Sequence, residues 1–308
     1  TPMARPRAPR PNTVATVTGL TLTCSPEHRN LVSLEAGGRV WVDNGPAGLP
    51  LWQIRVVDAE GRRAVLNAAA ARVAKSATRG NALRLVWQGV RDVATGAVPF
   101  AVTVTLTPYG DQPGAAAWRI QVANPTRDWT LWEVTFPILQ QVTAGADGAA
   151  DRFFHPHGWG VQLSGWQELA EVRRRYPRGW DCGMQVVGWS SGAETLYLAA
   201  HDPRLCPKEF HFRPDPSASP RHCRLAVTLY PDGMTLAGNS YTQDFDIVTA
   251  VLRGDWYDAA RLYGGWARRQ PWAAAPPPRA STEPRADREI HAWQVIQFPA
   301  KSADQWAD

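Results

Sequence analysis

The chain has 308 residues, of which 44% are hydrophobic and 20% charged, the composition of a globular protein with one large β domain or two ordinary domains. Four cysteines are too few for a disulfide-based scaffold, and no apolar run reaches the roughly 18 residues of a membrane helix, which excludes a membrane partner. The net charge of +5 comes mostly from scattered arginines without a basic helix or block, which argues against a nucleic-acid partner.

After a Pro/Arg-rich tail at residues 1–12, which we expect to be disordered, period-2 alternation predicts strands through most of the chain. Residues 30–42 read as a hairpin that turns at Gly37-Gly38, and residues 51–58 as another strand. The run LNAAAARVAKSA is assigned to a strand despite its alanines, because the turn Gly80-Asn81 and the alternating LRLVW follow it. The segments VATVTGLTLT, PFAVTVTLTPY and WRIQVANPT continue the pattern, which predicts a large antiparallel sandwich over residues 13–253.

The segment WTLWEVTFPIL, residues 129–139, is predicted to be a strand with a regular inner face. Strict alternation places Trp132, Val134, Phe136 and Ile138 on the side of the core and turns Glu133 away from it.

A loop dense in His, Pro and Gly follows, with the sequence RFFHPHGWG at residues 152–160. Irregular loops on rigid sheets are where ligand contacts concentrate. His155 and His157 have the i, i+2 spacing that two metal ligands in an extended segment would use, but no third ligand lies nearby, so we predict no metal site and assign the loop to packing or sugar contact.

Residues 176–212 combine tryptophans, carboxylates and amides between two strand patterns. A polyhydroxylated ligand packs its C–H face on an aromatic ring while its hydroxyls need donors and acceptors, and fifteen tryptophans are unusual for this length. A role of these tryptophans in the sandwich core is the alternative. The residues predicted to contact sugar are Trp159, Trp180, Asp181, Gln185, His201, Asp202 and Lys208, and the catalytic residues are left unassigned.

Residues 208–212 and 222–230 read as a hairpin around the loop RPDPSASPR. Pairing Phe212 with His222 sets Cys223 opposite His211 and leaves Cys206 beyond the distance that a disulfide can bridge, so we predict that Cys206 and Cys223 are not bonded to each other. Residues 241–252 are predicted to form one last strand.

A helix over residues 254–272 ends the predicted sandwich region and is expected to pack on it. Asp255 is a good N-cap, an apolar face runs from Trp256 to Ala267, and Pro271 stops the helix. A Pro/Ala linker at residues 273–288 follows, and then an apolar strand and a helix start at residues 289–308.

Several short motifs resemble a bacterial glycoside-hydrolase-like family of unknown function, domain of unknown function 6259. The resemblance rests on Tyr176-Pro177, Gly183-Met184-Gln185, Leu196-Tyr197-Leu198, His201-Asp202, Lys208, the run GDWYDAA at residues 254–260, Tyr263, Trp266 and Gln270-Pro271-Trp272. It implies a mainly β fold: a large antiparallel, galactose-mutarotase-like β-super-sandwich, then a C-terminal helix and linker, then a (β/α)8 barrel. Only the start of that barrel is present in these 308 residues, so a truncated barrel is expected.

Three functions are compatible with these patterns. The first is a non-catalytic sandwich of a glycoside-hydrolase-like protein that supports or completes a sugar site on its missing barrel domain. The second is a mutarotase-type epimerase in which a Glu acts as base and His155, His157 or His201 as acid. The third is a stand-alone carbohydrate-binding module. All three take carbohydrate as partner and no cofactor, and we favour an extracytoplasmic or secreted location although no signal peptide is visible.

No motif for other chemistries is found, since the sequence has no Gly-rich phosphate loop, Gly-x-Ser-x-Gly elbow or Cys-x-x-Cys pair. Hydrolysis of a glycoside needs two carboxylates on either side of the scissile bond. The spacing along the sequence does not identify any two carboxylates as such a pair. The available carboxylates are Asp181, Asp202, Glu209, Asp244 and Asp246.

Overall fold

The computed structural model describes residues 12–91, 100–143, 150–166 and 169–273. The strands of this part of the chain, numbered in chain order, are β1 (Thr13–Val17), β2 (Leu20–Cys24), β3 (Leu31–Ala36), β4 (Arg39–Asp43), β5 (Gln53–Asp58), β6 (Arg63–Asn67), β7 (Val73–Arg79), β8 (Ala82–Val90), β9 (Phe100–Pro108), β10 (Ala115–Ala123), β11 (Trp129–Thr143), β12 (Arg152–His155), β13 (Val161–Ser164), β14 (Val172–Tyr176), β15 (Val186–Ser191), β16 (Glu194–His201), β17 (Lys208–Asp215), β18 (His222–Leu229), β19 (Tyr241–Thr242) and β20 (Asp246–Arg253). The α-helix of this part, α1, spans Trp256–Ala267.

The described strands form two antiparallel sheets of ten strands each. Sheet A has the order β1-β2-β3-β4-β11-β18-β17-β14, with β5 paired to β11 and β6 paired to β5. Sheet B has the order β13-β12-β15-β16-β20-β10-β9-β8-β7, with β19 paired to β10. Antiparallel pairing allows one face of each sheet to be buried against the other, which fits the alternating sequence.

The core between the sheets absorbs many of the bulky aromatic side chains. Five tryptophans are completely buried, and among them Trp52 and Trp87 pack edge to face with ring centroids 5.4 Å apart. The buried tryptophans are Trp41, Trp52, Trp87, Trp118 and Trp189. Core packing therefore accounts for part of the tryptophan content, as the alternative interpretation had it.

Helix α1 packs on the face of sheet B that is turned away from the core. Its residues Ala259, Tyr263 and Trp266 join a second apolar cluster with Tyr197 and Val248 of the sheet. The Asp255 side chain accepts a hydrogen bond from the Tyr257 amide at 2.8 Å, which confirms the predicted N-cap. The described part of the chain contains no helix that is both long and apolar enough to cross a membrane.

Compact packing divides the chain into residues 1–270 and residues 271–308. Of the second unit only the 3₁₀ turn Pro271–Ala273 is described. Residues 274–308, with the predicted linker and barrel start, and residues 1–11 of the predicted tail lie outside the described residues.

The predicted inner face of β11 is wrong at Trp132. This ring is 37% exposed, while Val134 and Phe136 are buried in the core as expected. The physical reason is a β-bulge: the pairing with β5 shifts between Leu131 and Glu133, so the residue between them is displaced from strict alternation. Glu133 does lie on the outer side, where it forms an ion pair with Arg55 at 3.3 Å.

The predicted register of the β17–β18 hairpin is also wrong. Phe212 pairs with Leu225, and His222 pairs with Asp215, because β17 continues through Pro214 before the chain turns. Cys206 and Cys223 are nevertheless both free, as predicted. The predicted last strand is split into β19 and β20 by a short break around Gln243.

Candidate functional site

Exposed tryptophan rings gather at the β13 edge of sheet B, beside the start of α1. Trp159, Trp180 and Trp256 are 85%, 44% and 46% exposed, in contrast to the sealed tryptophans of the core. A cleft of about 340 Å³ opens between Trp159 and Trp256. Its lining consists of Phe154, His155, Pro156, Trp159, Gly160, Val161, Gln162, Met184, Val186, Trp256 and Ala260. We call this cleft, together with the adjoining Trp180, the tryptophan cleft.

Two loops are locked together to present these rings. Trp159 and Trp180 pack edge to face, with centroids 5.5 Å apart and planes at 83°. Gly158, at φ +56°, donates its amide to the Trp180 carbonyl at 2.8 Å. A Cβ at position 158 would lie 3.2 Å from the Trp180 indole, so the absence of a side chain allows this close approach.

Charged and imidazole groups lie next to the rings. Asp181 accepts hydrogen bonds from the Arg174 guanidinium at 3.1 Å and from the Arg175 amide at 3.2 Å. Arg174 also donates from Nε to Nδ1 of His155 at 3.2 Å. Burial, and then the positive charge of Arg174, lower the pKa of His155 to about 4, so its ring is neutral at neutral pH. The His157 ring contacts the Asp181 carbonyl oxygen at 3.4 Å.

Gln185, Asp202 and Lys208 form a separate cluster between the sheets and are completely or almost completely buried. The Lys208 ammonium donates to Gln185 Oε1 at 2.7 Å, to Asp202 Oδ2 at 2.9 Å and to the Cys206 carbonyl at 2.5 Å. Burial lowers the pKa of Lys208, while Asp202 opposes that shift. These side chains are bonded to one another rather than presented at the surface.

His201 lies apart from both groups. It contacts Tyr197 Oη through Nε2 at 2.7 Å and Tyr109 Oη through Nδ1 at 2.5 Å, and it stacks on Trp266 with centroids 4.7 Å apart. Burial, and then the charge of Arg269, lower its pKa to about 3. The structure therefore brings Trp159, Trp180 and Asp181 together at the surface and places the other predicted residues inside.

A second polar group, on the outer face of sheet A, was not among the predicted residues. His211 Nε2 and Glu209 Oε1 are 3.0 Å apart, and Arg175 donates to Glu209 at 3.0 Å. The hydrogen bond with His211, ahead of the one from Arg175, lowers the pKa of Glu209 to about 2. The run KEFHF held the signal, because alternation in a strand puts Glu209 and His211 on one face and Phe210 and Phe212 on the other.

Comparisons with known proteins identify the fold. No family model and no curated protein matches the chain. Among solved structures it is similar to a GH36 alpha-galactosidase from Geobacillus stearothermophilus solved with stachyose (10% identity, TM-score 0.50), a putative aldose 1-epimerase from Escherichia coli K12 (13%, 0.50) and a galactose mutarotase related enzyme from Lactobacillus acidophilus (9%, 0.52). The matches cover 84%, 79% and 80% of this chain and 43%, 99% and 98% of those chains.

The chain folds as a galactose-mutarotase-like β-sandwich. This confirms the predicted sandwich, and at such low identity the matches speak for the fold alone. The chain spans less than half the length of the alpha-galactosidase. Among the described residues, no group of three or more His, Cys, Asp and Glu side chains could hold a metal ion.

We predict that the buried Lys208 cluster is a major source of stability. The substitution Asp202→Ala leaves the Lys208 charge buried without its counter-ion, and we expect a loss of about 3–5 kcal/mol in the free energy of unfolding. The matched control is Asp244→Ala, which removes an exposed ion pair with Arg204 at 2.9 Å and should cost about 1 kcal/mol or less. Urea denaturation measures both, and equal losses would contradict the prediction.

We also predict that the protein loses stability in mild acid. The pKa values of His155 and His201 are lowered from 6.5 to about 4 and about 3, so the unfolded chain takes up protons first. The stability due to the neutral rings is complete above pH ~6.5 and is lost as the pH falls towards 4, by up to about 1.4 kcal/mol per pH unit for each ring.

Thermal unfolding measured between pH 6.5 and pH 4 should show a melting temperature that decreases as the pH decreases. The decrease per pH unit should be smaller in His201→Gln than in wild type. The control is His28→Gln, since the His28 side chain is 36% exposed. If the melting temperature of His201→Gln depends on pH as steeply as that of wild type, His201 is not the source of the pH dependence.

Proposed function

We propose that the chain is the non-catalytic sandwich portion of a glycoside-hydrolase-like protein and binds carbohydrate at the tryptophan cleft. The observation that carries this proposal is the contrast in tryptophan burial. Five indoles are sealed in the core, yet Trp159, Trp180 and Trp256 stay 44% to 85% exposed around one cleft. Exposed aromatic surface concentrated in one place marks an interaction site, and flat indole faces suit the C–H faces of sugars.

The polar groups around the cleft supply what the sugar hydroxyls require. Gln162 lines the cleft, and Asp181 and His157 lie beside Trp180 with side chains 21% and 35% exposed. A binding site that combines apolar walls with a few fixed polar groups is typical for small ligands. Asp181 is held in place by Arg174, so its orientation is fixed before a ligand arrives.

The fold and the sequence resemblance support the assignment to a larger carbohydrate-active protein. The GH36 alpha-galactosidase with a similar fold over 84% of this chain is an enzyme solved with stachyose. We propose that residues 289–308 begin a barrel, and that the barrel rather than the sandwich supplies the catalytic carboxylates. In this arrangement the sandwich supports or completes the sugar site of the barrel.

We predict that neutral polysaccharide slows the full chain in affinity gel electrophoresis with galactomannan, starch or xylan. Trp159→Ala and Trp180→Ala should each weaken the retardation about ten-fold, the loss expected when a stacked indole of about 0.5–1.5 kcal/mol and its buried area are removed. The matched control is Trp132→Ala, because this ring is 37% exposed on sheet A, away from the cleft. Migration unaffected by every polysaccharide, or an equal effect of Trp132→Ala, would contradict the proposal.

A mutarotase-type epimerase is the second candidate, and one observation favours it. Glu209 and His211 form an acid/base pair on the outer face of sheet A, near an open depression lined by Glu133, Arg175 and Tyr230. A general base works best with a pKa near the operating pH. The pKa of Glu209 is lowered to about 2, which makes its carboxylate a weak base and ranks this function second.

We therefore predict that the chain does not accelerate the mutarotation of free glucose or galactose. Polarimetry of freshly dissolved sugar measures the rate, and the spontaneous rate should be unchanged by wild type, Glu209→Gln and His211→Asn alike. An acceleration that Glu209→Gln abolishes and the buried-site variant His201→Gln retains would place epimerase activity at the sheet A pair and reverse the ranking.

A further inference from the structure

Three arginines meet on the outer face of sheet A, on neighbouring strands. Arg213 of β17 lies directly opposite Arg224 of β18 in the strand register. Arg173 of β14 lies opposite His211, two residues before Arg213 on the same face of β17. We call Arg173, Arg213 and Arg224 the arginine triad. Residues at such direct and diagonal positions lie about 5–8 Å apart, well within the range of charge repulsion.

Among the described residues, no direct ion pair offsets this repulsion at two members of the triad. Arg173 forms ion pairs with Glu171 at 3.0 Å and Glu209 at 3.7 Å. Within the described part of the chain, the side chains of Arg213 and Arg224 form no hydrogen bond or ion pair, and Nε of Arg224 is buried without a partner. Like charges placed directly opposite each other destabilise a sheet, and a buried donor without a partner adds to the cost.

The two carboxylates that the structure describes beside the triad, Glu171 and Glu209, do not balance its three positive charges. Glu209 is already bonded to Arg175 and His211, and Glu171 is bonded to Arg173. Burial, and then the charges of Arg213 and Arg173, lower the pKa of Arg224, with only Glu171 acting in the opposite direction. The chain thus maintains an excess of positive charge at one point of a partly buried sheet face.

We propose that the arginine triad binds an anionic group of an acidic polysaccharide, a uronate carboxylate or a sulfate ester. Such a group brings the negative charge and the acceptor oxygens that Arg213 and Arg224 lack, and planar guanidinium groups match its geometry. This inference rests on the proposed carbohydrate-binding function and names the class of sugar.

A polysaccharide fits this face better than a nucleic acid does. The arginines occupy one spot, which suits a single substituent, whereas a nucleic-acid backbone requires basic groups along a track of regularly spaced phosphates. Tyr230, on the extension of β18, lines an open depression together with Arg175, and a hydroxyl-bearing sugar ring can hydrogen-bond with its hydroxyl.

The test is isothermal titration of the full chain with trigalacturonate, a sulfated heparin tetrasaccharide, neutral galactotriose and a single-stranded oligonucleotide. We expect at least one of the two acidic sugars to bind. The double variant Arg213→Gln/Arg224→Gln should weaken that binding about ten-fold or more, as expected on loss of charge-assisted hydrogen bonds. The matched control Arg84→Gln changes an exposed arginine on sheet B and should keep the wild-type affinity.

A second readout separates ligand binding from a structural role. Arg224→Gln removes the repulsion, so it should raise the melting temperature without ligand and reduce the increase that the bound acidic sugar gives to wild type. A lower melting temperature together with unchanged affinity would overturn the inference. It would also be overturned if neither acidic sugar binds, or if the oligonucleotide alone binds and the double variant abolishes that binding.

The outcomes also separate this inference from the proposed function. If galactomannan, starch or xylan retards the chain through Trp159 and Trp180 but no acidic sugar binds, only the triad assignment fails. If acidic sugar binds through the triad while the tryptophan variants retain normal behaviour, the triad stands and the tryptophan cleft fails. If the wild-type chain binds neither neutral nor acidic sugars, both the triad assignment and the tryptophan cleft are overturned.

Discussion

The buried Lys208 ammonium is the interaction on which the placement of the candidate sites depends. Lys208 begins β17 in sheet A, whereas Asp202 and Gln185 flank strands of sheet B, so their hydrogen bonds of 2.7 and 2.9 Å join the two sheets. The backbone N–H of Gln185 in turn donates to Tyr263 Oη of α1 at 3.2 Å. Because Met184 and Val186 on either side of Gln185 line the tryptophan cleft, the same cluster fixes the wall of the cleft.

Strand β17 shows how one segment carries both the anchor of the fold and a charged surface. Lys208, Phe210 and Phe212 point into the sandwich, while Glu209 and His211 between them face outward. A shift of the register by one residue would move the ammonium to the surface and the carboxylate into the core. The ion pair with Asp202 therefore specifies the register as well as contributing to stability.

The sequence was sufficient for the architecture where local patterns determine structure. Alternation located most strands, and Asp255 with the spacing of Ala259, Tyr263 and Trp266 located α1. The exposure of Trp132 could not be predicted from the sequence, since a bulge depends on the partner strand and leaves no local signature. Polar residues between strands indicate a binding site and a buried network equally well, so burial of Gln185 or His201 becomes visible only when the sheets are packed.

Edge strand β14 connects the two proposed binding surfaces. Its three consecutive arginines alternate in direction: Arg174 turns inward to Asp181 beneath the tryptophan cleft, while Arg173 and Arg175 turn outward to Glu209. An edge strand has only one neighbour in its sheet, so side chains from both of its faces can reach solvent along the free edge. A polysaccharide chain is long enough to follow such an edge, which makes β14 the element through which the aromatic and the cationic contacts can serve one ligand.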